Sequence, residues 1–118
     1  MQPLEIVNRF NDIYEQVRHT HHITTSYAEH KALGEFYEEW ADLTDDFIET
    51  YQGKYGRIEG SLSTMASSSV DIVVFLKEAE LFTVQLFTEL PAIDQGLKNL
   101  AADMQNLVNH TLYLLSLK

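Results

Sequence analysis

Residues 30–49 read HKALGEFYEEWADLTDDFIE, and the spacing inside this stretch decides the architecture. His30, Leu33, Tyr37, Trp40, Thr44, Phe47 and, just beyond, Tyr51 step by three and four, which gathers them on one face of a helix. Seven carboxylates fill half of the intervening positions, as on a helix with one buried and one wet side. Ser26, followed three residues later by Glu29, is a capping-box signature for the start of this helix. Gly53 and Gly56 supply stop signals at its end.

Working outward, the same stepping recurs in three more places. Upstream, Val7, Phe10, Tyr14, Val17 and His21 form a stripe that the run Thr24-Thr25-Ser26 interrupts. Downstream, a segment from Val70 to Leu90 is apolar almost all round and is expected to be the most buried helix, with Ser67, Ser68 and Ser69 as candidate caps. Pro91 closes it and suits the first turn of the next helix. There Ile93, Leu97, Leu100, Met104, Leu107, Thr111 and Leu114 repeat the pattern. Hairpin turns of the Asn-Gly or Asp-Gly kind are absent, and no stretch alternates cleanly. The expectation is an all-α, up-down four-helix bundle formed by residues 1–118 as one domain, with a long Gly/Ser-rich connection between helices 2 and 3.

Composition narrows the function. The 118 residues hold 8 Lys and Arg against 18 Asp and Glu, a net charge of −10. Such a chain has little with which to neutralise phosphates or an anionic lipid surface, so neither nucleic acid nor membrane is an expected partner. Cysteine is absent, which removes disulfides, thiolate nucleophiles and iron–sulfur clusters. The longest nearly unbroken apolar run, Ile72 to Leu76, is far too short to span a bilayer, and the N-terminus shows no signal-peptide pattern. A cytoplasmic location is expected.

Four of the five histidines fall between residues 19 and 30, just ahead of the densest acidic stretch. On the first helix only His21 continues the apolar stripe; His19 follows Glu5, Asp12 and Glu15 on the polar side, and His22 follows Asn8, Asn11, Glu15 and Arg18. His30 heads the apolar stripe of the second helix. With His30 at zero and 100° per residue, Asp45 falls near 60°, Glu38 near 80° and Glu49 near 100°. Asp45 and Glu49 are thus a pair four residues apart at the edge of the buried face, able to converge on one cation, with Glu38 in reserve. His30 and Asp45 are separated by fifteen residues, about 22 Å along a helix. They cannot meet within one chain. An antiparallel two-fold pairing of second helices would set His30 of one copy beside Asp45 and Glu49 of the other, with His21 joining them. Two imidazoles and two carboxylates suit iron, manganese or zinc.

The quoted string resembles the metal-binding helix of ferritin-like proteins of the Dps type (DNA-binding proteins from starved cells). There a His, fourteen intervening residues, an Asp, three more and a Glu lie on one helix, after a His on the first helix. His30, Asp45 and Glu49 fall on those positions. His21 is similar to the upstream His, although it lies nine residues before His30 where twelve is usual, and His22 stands where a tryptophan is expected. The stretch from His21 to Gly56, above all TTSYAEHKALGEFYEE and ETYQGKYG, also resembles a small, mostly phage-encoded ferritin-like family. These resemblances imply a homo-oligomer, at least a dimer, that binds iron at a two-fold interface and oxidises Fe²⁺ with peroxide or dioxygen. They also place the protein in a host cytoplasm or a virion. No basic tail precedes the first helix, so DNA coating is not expected.

Two other readings compete. The bundle is a non-enzymatic oligomer serving as a phage structural module or as a contact for a host or virion protein, or its carboxylates mimic nucleic acid. An intrachain di-iron centre would need Glu-x-x-His pairs, and no Glu lies three residues before any His. Trp40, Tyr37 and Tyr51 are read as packing residues and His110 as structural or exposed.

Overall fold

The computed structural model describes residues 1–63 and 71–117, and over these the chain is all-α. Four helices form in order, α1 (Pro3–Ile23), α2 (Tyr27–Tyr55), α3 (Ile72–Glu89) and α4 (Gln95–Ser116). The starts follow from side chains that satisfy first-turn amides. Ser26 caps α2 by accepting from the Glu29 amide at 3.2 Å, and the Ser26 amide itself donates to Thr24 Oγ1 at 3.2 Å. Asp71 caps α3 through the amides of Val73 and Val74. That places the start of α3 two residues after Val70; the serines at 67–69 lie outside the described residues.

Packing arranges the helices in a ring in which α1 touches α2 and α3, and α4 touches α2 and α3. The directions follow from which ends meet. Met1, ahead of α1, pairs with Glu89 at the end of α3, and Lys54 and Tyr55 at the end of α2 meet Asp94 at the head of α4. Every neighbouring pair is therefore antiparallel, while α2 and α3, which sit diagonally, point the same way. The link between them has to travel from the lower end of the bundle to the upper. Sixteen residues, 56–71, reach up to about 50 Å when extended, enough for a molecule 43 Å long. Its first half climbs beside α1: Ser63 exchanges hydrogen bonds with the Asn8 side chain.

The core is aromatic at its centre. Phe10 sits edge-on to Trp40, Phe47 and Phe82, with ring centroids 5.9, 5.3 and 5.9 Å away. Trp40 is fully buried, stacks on Phe36 and donates from Nε1 to the Phe10 carbonyl at 3.0 Å. The inward face of α1 is centred on Ile6, Phe10, Ile13 and Val17, with Val7 and Tyr14 only half-buried, because α3 covers the flank that α2 does not.

Three expectations are corrected. The third helix is not buried all round: Val74, Leu81, Val84 and Phe87 are exposed, since a helix at the corner of a four-membered ring touches only two neighbours. Pro91 lies in the turn before α4 rather than in its first turn, and the Asp94 amide donates back to its carbonyl. Ile93 consequently falls outside the helix and is 83% exposed. Asp12, assigned to the polar side, is buried beside Arg9. Burial pushes its carboxyl above the ordinary value, and Arg9 offsets part of that rise.

Candidate functional site

The histidines that sequence reasoning singled out come together at the corner where α1 turns into α2. Here the last carbonyls of α1 have no partner within their own helix. The His21 carbonyl is one of them, and it accepts from His30 Nδ1 at 2.8 Å. In return, His21 Nδ1 donates to the His30 carbonyl at 2.6 Å. The two rings stack with centroids 3.8 Å apart and planes 15° apart. Tyr37 meets His21 edge-on at 5.2 Å, and Tyr14 in turn meets Tyr37.

This exchange fixes the tautomers. A carbonyl oxygen only accepts, so Nδ1 carries the proton in both rings. In the neutral imidazoles the lone pair then sits on Nε2. A backbone carbonyl holding Nδ1–H is the usual support for a histidine that ligates through Nε2. The stack also sets a limit. Each lone pair lies in its ring plane, and planes so nearly parallel meet only far from both rings. The two Nε2 atoms therefore do not aim at one ion while the rings are stacked.

His30 is exposed rather than sheltered in the apolar stripe, and His21 is half-buried. His22 is exposed and lies tilted against His21. Desolvation, followed by the positive neighbours Arg18 and the nearby imidazoles, holds it below the usual histidine value. His19 and His110 are exposed. The carboxylates lie elsewhere. Asp45 and Glu49 stand on the outer face of α2, exposed, and α2 is one unbroken helix of 29 residues. The separation of about 22 Å between His30 and Asp45 therefore holds. Among the described residues, no three His, Asp or Glu side chains of one chain are grouped to hold a metal ion.

Two features escaped the sequence reading. One is Gly34, a lone glycine inside a helical pattern, which costs stability relative to alanine and so invites a packing reason. The second is the Asp94 carboxylate, buried at the head of α4, which takes Lys54 and Tyr55 as partners rather than capping its own helix. Both partners lie some forty residues away, and local spacing carries no trace of such a contact.

Fold and corner together define a four-helix-bundle protein with a tautomer-fixed imidazole pair. The chain belongs to DUF5856, a family of unknown function, which it matches over residues 21–115. That span opens at His21 and includes His30, Asp45 and Glu49. No curated protein and no solved structure matches the chain. Among the described residues, no helix is long and apolar enough to cross a membrane.

Proposed function

We propose that this protein is a ferritin-like, Dps-type metal binder whose site is completed across a two-fold axis. The observation that carries the reading is the carbonyl-held Nδ1–H of each imidazole, which leaves a free Nε2 lone pair on His21 and another on His30. The topology adds support, because a single long crossover between parallel second and third helices is the arrangement of ferritin-like bundles. Antiparallel pairing of two α2 helices about residues 37 and 38 puts His30 opposite Asp45 of the partner subunit.

In this reading His21 anchors the ion through Nε2, Asp45 and Glu49 arrive from the other copy, and His30 joins the same ion only by turning out of the stack. Iron is the favoured ion, with manganese or zinc able to take its place. As substrate, two Fe²⁺ give two electrons to one peroxide, which leaves as two waters after taking up two protons. Carboxylates favour the Fe³⁺ product because its charge is higher.

The test is thermal unfolding with added Zn²⁺, Mn²⁺ or anaerobic Fe²⁺, alongside the mass in solution by light scattering. A dimer or larger assembly that melts higher with metal, and loses that rise in His30→Ala, supports the reading. A monomer with an unchanged melting curve overturns it and leaves a helical interaction module.

A further inference from the structure

We infer that Gly34 is a positioning residue for the imidazole corner: it is the socket that lets His21 reach the His30 carbonyl with its Nε2 left bare. The part that concerns metal affinity rests on the reading above; the part that concerns the ring does not.

Glycine in the interior of a helix is unfavourable relative to alanine, so its presence in the middle of α2 needs a reason. Backbone conformation is not that reason, since Gly56 and Gly60 are the glycines with positive φ. Space is. A Cβ built on Gly34 would lie 2.8 Å from His21 Cε1, 3.2 Å from Nδ1 and 3.8 Å from Nε2. All three contacts are with the one imidazole. Gly53 and Gly96, also helical, would meet nothing within 4 Å. Of these three helical glycines, only Gly34 has a neighbour in the place of a side chain.

The geometry explains why. The carbonyl that accepts from His21 Nδ1 belongs to His30, four residues before Gly34 and thus one helical turn below it on the same face. A ring that reaches that oxygen must lie flat over the next turn, where any side chain would begin. With a methyl group there, the ring has to lift. It then loses the bond that selects its tautomer, the stack on His30 and the edge contact with Tyr37. The clash falls on the end of a side chain and not on backbone, so the helix survives and the corner does not.

Three measurements decide the matter. Nitrogen-15 NMR of histidine side chains in the metal-free protein is expected to show His21 protonated at Nδ1 and bare at Nε2, a pattern that Gly34→Ala abolishes. Thermal unfolding supplies a second readout of opposite sign to a merely structural role. In the His21→Ala background, Gly34→Ala is expected to raise Tm by roughly 3–6 °C, the ordinary gain from replacing a helical glycine. With His21 present that gain is lost. Zn²⁺ affinity is expected to fall about 10–100-fold in Gly34→Ala. Unchanged His21 signals, an equal gain in Tm in both backgrounds, or undiminished Zn²⁺ affinity would each overturn the inference. A wild-type protein that takes up no Zn²⁺ while the NMR and melting results hold would instead sink the metal reading alone.

Discussion

Asp94, the residue just ahead of α4, is tied by its carboxylate to Lys54, forty positions earlier at the end of α2. Tyr55 donates its phenol to the other oxygen of the same carboxylate. The ammonium first, then the phenol, hold the Asp94 carboxyl below its ordinary value. Its folded form thus binds protons less readily than the unfolded chain, and the contribution to stability is present above the ordinary carboxylate range and lost as pH falls through the folded value. Asp94→Asn is expected to lower Tm near neutral pH, and the gap to wild type should close on acidification. Melting curves taken from pH 7 down to pH 2 check this; a gap that persists at the acid end contradicts it.

Asp12 has the opposite sign. Burial raises its carboxyl against the pull of Arg9, so the folded chain holds that proton more tightly than the unfolded one, and ionisation at neutral pH costs stability. Asp12→Asn is expected to be neutral or stabilising at pH 7 and to lose any advantage as pH falls. Chemical denaturation at two pH values measures the sign.

Trp40 is the one tryptophan and is fully buried among Phe10 and Phe36. Trp40→Ala removes that packing and is expected to cost about 3–5 kcal/mol. Trp40→Phe keeps most of the volume and gives up the bond to the Phe10 carbonyl, for about 1–2 kcal/mol. Urea unfolding followed by circular dichroism separates the two.

Asp45 and Glu49 are exposed and form no ion pair among the described residues. Asp45→Asn and Glu49→Gln are therefore expected to leave the metal-free protein within about 0.5 kcal/mol of wild type. If they ligate from the partner copy, the same substitutions abolish the rise in Tm with Zn²⁺ or Mn²⁺. Loss of stability without metal would show that they serve the fold instead.

The bundle was largely legible because each helix carries its own period, and because Ser26 and Glu29 mark a start that the Glu29 amide then uses. The inward placement of His21 was legible for the same reason. Which flank of a helix finds a partner was not: Val74 and Leu81 look like core residues by composition, yet α3 has neighbours on two sides only. Nor could periodicity show that Asp12 lies under cover, or that Ile93 is cut off from α4 by the turn after Pro91. At the corner, the spacing placed two histidines near each other but said nothing of the stack. That arrangement depends on a missing methyl group at residue 34 and on carbonyls left over at the end of α1, neither of which is a property of the histidines themselves.

The unbroken course of α2 makes it a ruler. At 1.5 Å per residue its 29 residues measure about 43 Å, the full long dimension of the molecule. Removing a single residue between His30 and Asp45 would swing the carboxylates about 100° around the axis relative to the imidazole corner. Adding seven would restore their bearing but overshoot the mark by about 10 Å. If His30 and Asp45 serve one ion across two copies, the interval between them sets the geometry of that site more strictly than the identity of most residues that fill it.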